Sequence, residues 1–445
     1  MKHTLTLGIA EKPKSKGQWA VLSLQHVFAM FGATVLVPIL TGLSISVALF
    51  SSGIGTLIYI FFTKAKVPVY LGSSFAYIAA ISIASQSFGV GSAFIGLAVV
   101  GIIYIVVALL IKYLGTNWLN KILPPVVIGP MIAIIGISLA AVATGQAGLS
   151  PDSADAFFAF LATDVRNPLI AVVAFATTVV LAIFAKGFFK VVPIVGGIVV
   201  GYVFAIIVGS VDFSSLADIA WFKIPEFQFF GTYAIDFRAV LMFVPISFVT
   251  IAEHIGDHKV LGSITGEDFL KDPGLDKTLM GDGVATLAAA LIGGPANTTY
   301  GENTGVVGMT KVASVYVTGM AAIISIVLSF FNILTGLIQT VPAPVMGGVL
   351  ILLFGLISGN GLKVMIDAQV NLASMRNLII VSTMLVIGLG QAKILLNDAA
   401  ALTGMALAAI IGVALNLLLP EEKPDLPKVE KSGVVVQKRT TRKSA

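Results

Sequence analysis

Glu253 and Glu302 are the first residues whose chemistry asks for an explanation. Each carboxylate interrupts sequence apolar enough to sit in lipid, Glu253 in Ile251-Ala-Glu-His-Ile-Gly256 and Glu302 in the glycine-rich run Pro295–Lys311. A carboxylate at the centre of a bilayer span costs about 2.5–3.5 kcal/mol even on lenient insertion scales, so an acid at that depth is expected to face a polar site inside the protein. Two such acids offer acceptors for N–H groups and a place to hold a proton. Asp257 follows Glu253 by four residues, shares its helix face and is a further proton-coupling candidate. It falls close to the end of its apolar run, where a plainer reading competes: Glu253 and Asp257 as helix-end groups satisfied by His254, His258 or Lys259. His26, next to Gln25 in the first apolar run, is either part of a proton pathway or a histidine that donates to a neighbouring backbone carbonyl.

The backbone supplies a second kind of ligand. Leu71-Gly-Ser-Ser-Phe75 and Thr299-Tyr-Gly-Glu-Asn303 combine glycine with small polar residues, which lets the chain run extended and then enter a half-helix. Irregular backbone at membrane depth survives only where it is buried in protein or lines a cavity. The start of a half-helix presents free N–H groups and a positive dipole end. Ser73, Ser74, Phe75 and Tyr77 come with the first stretch, and Asn297, Thr298, Thr299, Tyr300, Gly301 and Asn303 with the second. Donors near Gly301, acceptors at Glu253 and Glu302, and flat faces at Phe75 or Tyr300 suit a flat heterocycle carrying both N–H and C=O groups. A phosphate would instead want Lys or Arg, and the basic residue nearest these positions is Lys311. For Phe75, ordinary packing is an equal alternative to stacking.

The elements that must hold these residues are membrane helices. The chain has 445 residues, 57% hydrophobic and only 11% charged, with a mean hydropathy of +1.00; soluble domains carry about 25% charged residues. At about 20 residues per span, the apolar runs resolve into fourteen segments. The third (Val67–Gln86) and tenth (Pro295–Thr310) are the broken ones. The fifth is read as Ile122–Thr144, the eighth as Phe237–Ile255, the ninth as Leu275–Ile292 and the twelfth as Pro344–Ser358, with Met365–Met375 as a loop. Within these spans only Glu253 and Glu302 are read as acids. Of the 27 Lys and Arg residues, this topology leaves only Arg166, Lys223, Arg238 and Lys393 on the outer side, which puts both termini in the cytoplasm. Dropping either broken segment inverts every later loop and spoils that asymmetry. The longer outer loops are Gly145–Arg166 and Ser210–Asp236, and the second divides the chain into two sets of seven spans, which must then have opposite orientations. Paired broken segments at matching places in the two sets point to a transporter site.

Other classes are excluded. The pI of about 9.2 does not indicate a nucleic-acid surface, because the basic residues are spread over loops and the tail. There are no cysteines, which removes disulfides, thiol catalysis and Cys-based metal sites. The sequence has no H-E-x-x-H, no G-x-x-x-x-G-K-[ST] and no G-x-S-x-G, so no enzyme is expected, and neither is a cofactor or a metal. Uphill transport would draw on an ion gradient. The first apolar run lacks a small-residue cleavage site and is read as an uncleaved span, and Pro420–Ala445 as a disordered basic tail.

Glu302-Asn-Thr-Gly-Val-Val-Gly-Met-Thr-Lys311 fits the signature of the nucleobase–ascorbate transporter family: an acid or amide, Asn, any residue, Gly, four residues, Thr, then a basic residue or Gly. The Gln25-His26 pair matches the same family. Ser23–Pro38, Tyr70-Leu-Gly-Ser-Ser-Phe-Ala76, Ile251–Gly256 and Asn297-Thr-Thr-Tyr-Gly-Glu-Asn303 resemble its bacterial uracil-carrying branch, and the resemblance runs from about Ser23 to Leu419.

The resemblance implies an all-α polytopic fold of fourteen transmembrane segments in two inverted seven-segment repeats, with short extended stretches in the third and tenth. It divides the chain into a cytoplasmic tail (1–17), a core domain (18–112 and 237–331), a gate domain (122–209 and 344–419) and the basic tail (420–445). It further implies a homodimer in the bacterial cytoplasmic membrane that moves core against gate like an elevator and imports uracil with a proton. Glu253 and Glu302 would accept the two uracil N–H groups, the backbone at Tyr300 and Gly301 would meet a carbonyl, Phe75 would pack on the ring, and His26 would join the polar network. The proton-coupling candidates are Glu253, Asp257, His26 and Glu302. Asp257 departs from uracil carriers that have His at this place. A xanthine or urate proton symporter is the nearest alternative, and an anion channel or exchanger a more distant one.

Overall fold

Small polar caps and glycines cut the apolar sequence into helices. The Ser15 hydroxyl accepts from the Gln18 N–H and starts α1 (Lys16–Thr41), which Gly42 ends in the left-handed conformation at φ 74°. Ser44 caps α2 (Ile45–Phe62) in the same way through the Val47 N–H. Next come β1 (Leu71–Ser73), a 3-10 turn (Phe75–Tyr77), α3 (Ile78–Phe88) and α4 (Val90–Leu114). α5 (Pro125–Ser138) and α7 (Pro193–Ile207) both start on proline, with α6 (Arg166–Phe184) between them. The main elements that follow, with shorter turns and helices such as Asn332–Gln339 between them, are α8 (Val240–Thr265), α9 (Leu275–Leu291), β2 (Asn297–Thr299), α10 (Gly301–Thr310), α11 (Val315–Leu328), α12 (Ala343–Asp367), α13 (Met375–Leu389) and α14 (Gly404–Leu418). This computed structural model describes residues 5–149, 166–217, 219–229, 233–390, 392–395, 401–402 and 404–420. Among them, 7 helical stretches are long and apolar enough to cross a membrane by length and composition. The expected loop segment 150–165 and the tail 421–445 lie outside the described residues.

Close backbone contact through glycine holds the helices together. A Cβ on Gly101 of α4 would lie 2.7 Å from the Gly283 carbonyl of α9, and one on Gly283 would lie 2.9 Å from the Gly101 carbonyl. Gly129 of α5 and Gly361 of α12 make the same mutual approach, at 2.9 and 2.5 Å. Lipid gives helices no hydrophobic reason to associate, so packing at this range is the main attraction available.

β1 and β2 cross inside the bundle as an antiparallel pair, Leu71 opposite Thr299, Gly72 opposite Thr298 and Ser73 opposite Asn297. The pairing is lengthened by Tyr300 N–H to Tyr70 O (3.1 Å) and Ser74 N–H to Ala296 O (2.9 Å). The outer edges are satisfied by side chains. Ser52 donates to Leu71 O (2.8 Å), Thr56 accepts from Leu71 N–H (2.9 Å), and Thr286 donates to Asn297 O (3.1 Å). That accounting is what allows extended backbone at this depth.

Three boundaries differ from the sequence reading. α8 runs past Ile255 to Thr265 and stops only where Gly266 turns left-handed at φ 82°, so Asp257 lies in mid-helix. The charged residues from 257 to 259 do not end the helix, because Asp257 faces the protein interior. α12 continues through Ser358 to Asp367, so the start of the expected 365–375 loop is helical. Its Ser-Gly-Asn-Gly run stays helical because Gly361 is the contact point against α5. The fifth segment is broken at Leu139, with a separate short helix Ala140–Gln146 after α5.

Candidate functional site

α8, β2 and the start of α10 form one wall of a cavity of about 370 Å³, and α12 with Ile132 of α5 and Ile194 of α7 forms the facing wall. The first wall is polar, with Glu253, Asp257, Thr298, Thr299, Gly301 and Glu302; the facing one is mostly aliphatic near Leu353 and Ile357 and becomes polar at Asn360, Lys363 and Asp367. These last residues are at the C-terminal end of α12, as Ile264 is at that of α8, so the cavity extends toward that end of the bundle. Among the described residues, no Lys or Arg forms an ion pair with Glu253, Asp257 or Glu302. The cation that lines the cavity is Lys363, at its outer part.

Eight of the residues singled out by sequence line this cavity: Phe75, Glu253, Asp257, Thr298, Thr299, Tyr300, Gly301 and Glu302. Their roles in the architecture differ. In α10 the Thr304 N–H bonds back to Tyr300 O at 3.1 Å and Tyr300 brings no side-chain cap, so in the first turn only the Glu302 N–H has an acceptor within the helix, its own carboxylate. A Cβ on Gly301 would meet nothing within 4 Å, because that position opens on the cavity. The Tyr300 ring is turned the other way. Its hydroxyl donates to Ser73 O (3.0 Å) and accepts from Thr34 (3.2 Å), and its ring lies against Gly72, where a Cβ would be 2.3 Å away. Tyr300 therefore locks the crossover with its ring and reaches the cavity with its backbone. Phe75 is 8% exposed and meets Phe354 edge-on at 5.8 Å.

Asp257 accepts a hydrogen bond from the Thr299 hydroxyl, which ties α8 to β2. The helix-end reading of Glu253 and Asp257 does not hold, since both project from mid-helix into the cavity and neither pairs with His254, His258 or Lys259. His26 is 1% exposed and lies behind α10, outside the cavity lining. The Asn303 amide nitrogen donates to the His26 carbonyl (3.0 Å) and sits 3.1 Å from His26 Nδ1. A carbonyl only accepts, so that nitrogen is a donor to Nδ1 as well, and the His26 proton is on Nε2.

Sequence reasoning missed one buried acid. Asp282 of α9 is 0% exposed, and its Oδ2 is 2.8 Å from His254 Nδ1. Its signal was an acid between two glycines, Gly281-Asp-Gly283, at the middle of the segment read as the ninth span. The partner histidine projects from α8 away from the cavity.

The Permease family profile (Xan_ur_permease) matches residues 17–396. The uracil permease of Bacillus caldolyticus is 48% identical over 417 residues, covering 93% of this chain and 94% of that protein. The uracil permease of Bacillus subtilis (strain 168) is 46% identical over 428 residues, covering 95% and 97%. Among solved structures, the murine Solute Carrier 26 family member A9 anion transporter in the inward-facing state superposes with a TM-score of 0.67 at 12% identity, covering 92% of this chain and 69% of that one. At that identity the likeness concerns the fold alone.

Proposed function

The chain belongs to the Permease family, and from that premise we propose that it imports uracil with a proton across the bacterial cytoplasmic membrane. It is a multi-pass membrane permease and not an enzyme. The observation that carries the substrate reading is the convergence of two acceptors and a helix start open at Gly301 on one cavity. Glu253 and Glu302 face the same space as Gly301 and the Phe75 ring, with no cation among the described residues paired to either acid. Uracil has two N–H groups and two carbonyls. The acids take the N–H groups, the N–H groups at the start of α10 take a carbonyl, and Phe75 packs on the ring. The proton rides on one of the cavity acids, Glu253, Asp257 or Glu302, with His26 in the network behind α10.

The cavity's two walls support an elevator-like mechanism. Glu253, Glu302 and Phe75 belong to the proposed core (18–112 and 237–331), while Ile132, Ile194 and Leu353 belong to the proposed gate (122–209 and 344–419). The antiparallel β1–β2 pair and the mutual glycine contacts of α5 with α12 support two inverted seven-segment repeats. On this reading both termini are cytoplasmic, the cavity extends toward the cytoplasm, and the protein works as a homodimer. Anion exchange on the same fold is disfavoured, because an anion at Glu302 would face acids.

Uptake of labelled uracil into proteoliposomes tests this. Uracil entry should acidify the interior, and unlabelled uracil should compete better than xanthine or urate. Sodium-dependent uptake without acidification would remove the proton, stronger competition by xanthine or urate would reassign the base, and anion flux without base uptake would overturn the reading.

A further inference from the structure

One turn of α8 has two chemical faces. Glu253 and Asp257 line the cavity, while His254 and His258, each one residue further on, are buried against Tyr59 of α2, Tyr104 of α4 and Asp282 of α9. His254 and Asp282 are both 0% exposed and meet at 2.8 Å. His254 stacks on His258 with ring centroids 4.1 Å apart. His258 Nδ1 lies 2.6 Å from the His254 carbonyl, so that nitrogen carries a proton, and Nε2 meets the Tyr59 hydroxyl, which donates to it in the neutral tautomer. His258 read in this way is neutral and does not compensate Asp282. The titratable groups within electrostatic reach are Tyr59 of α2, Tyr77 of the turn before α3, Tyr104 of α4, and Glu253 and Asp257 on the opposite face of α8. None of these is a cation at neutral pH. The backbone on either side of Asp282 is closely packed, Gly281 on the Tyr59 backbone and Gly283 on Gly101.

We propose that His254 and Asp282 form a positioning pair that shares one proton and holds α8 with Glu253 and Asp257 turned toward the cavity. A lone carboxylate at this place is unfavourable, and one shared proton makes the pair neutral. The second oxygen of Asp282 and Nε2 of His254 are buried without partners, so nearly all the compensation comes from the contact between them. The pair touches no substrate. It acts through the rotation of α8, and its effect on ligand binding rests on the cavity being the uracil site.

The test uses full-length protein in detergent, with His254→Gln, Asp282→Asn and the double variant. The ligand-free melting temperature is measured from acid to alkaline pH, and then again with uracil. His254→Gln strands the acid. Its Tm should fall by about 5 °C or more at alkaline pH, and the deficit should close as pH falls and Asp282 takes the proton alone. Its uracil affinity should fall roughly tenfold. Adding Asp282→Asn removes the charge and should restore Tm across the pH range and recover most of the affinity. A pH-independent deficit, or losses that simply add in the double variant, overturns the proposal. If the wild type gives no response to uracil, the substrate reading fails, while the ligand-free rescue still decides the pair.

Discussion

At residues 71–88 and again at 297–310 the chain runs extended for three residues and then starts a short helix, and the two extended pieces pair with each other. Both helices start inside the protein, yet the two starts are finished differently. The start of α3 is covered by its own side chains, since Phe75, Ala76 and Tyr77 are all buried, and Tyr77 is bonded to Thr250 at 2.8 Å. The start of α10 is left open at Gly301, which faces the cavity, while Glu302 beside it accepts from its own N–H. The two glycines express the same division. Gly72 is filled by the Tyr300 ring, while Gly301 has open space where a side chain would be. One backbone device thus yields a wall on one side and a binding edge on the other, according to which side chains occupy the first turn.

The strongest way to break this comparison is Glu302→Gln. The substitution keeps the shape and, with the proton on Glu253 or Asp257, replaces an ionised acceptor with a mixed donor and acceptor. A hydrogen bond to a charged group is worth about 1.5–3 kcal/mol, so uracil affinity should fall on the order of 10- to 150-fold with little change in Tm. Near-normal binding by isothermal titration would remove Glu302 from the site. Gly72→Ala should act on the other quantity. Its methyl group collides with the Tyr300 ring, and overpacking of this kind costs about 1–3 kcal/mol. A clear loss of Tm is expected even without ligand, and an unchanged Tm would mean that the crossover gives way easily. Phe75→Ala comes next. It removes the wall while leaving β1 paired, and uracil affinity should drop about tenfold, within the range for loss of an aromatic face under a base. An affinity within twofold of wild type would assign Phe75 to packing against Phe354.

Much of this contrast was legible in the sequence, because it rests on residue types that lipid does not tolerate. Glu302 between Gly301 and Asn303, and Gly72 before two serines, announced broken segments without any coordinates. The parts that were not legible depend on partners far along the chain. Nothing local says that Tyr300 turns its ring onto Gly72 instead of into the cavity. Asp282 was hidden because its partner, His254, lies in another helix and seemed to belong to the acids beside it. The end of α8 was misplaced for a related reason: Asp257, His258 and Lys259 look like a membrane boundary, yet the first two are satisfied inside the protein, by Thr299 and by Tyr59 with the His254 carbonyl. Periodicity reports that a helix exists, whereas its end depends on where those charges find partners.

Gly301→Ala asks the most delicate question of the comparison. The residue has ordinary helical geometry, and an added Cβ would meet nothing within 4 Å, so neither strain nor collision opposes it. Alanine is the better helix former by about 1 kcal/mol in a helix interior and by less at a first position. Tm should therefore hold or rise slightly, in contrast to Gly72→Ala one strand away. Any effect on uracil must then come from the methyl group standing in the cavity, where it crowds the N–H edge without removing a donor. A loss of only a few fold is expected, below that of Phe75→Ala. If Gly301→Ala instead lowers Tm as much as Gly72→Ala does, the two helix starts are equally covered, and the open binding edge assigned to α10 is wrong. If Tm holds and affinity falls, the open position beside Glu302 is where the ligand lies.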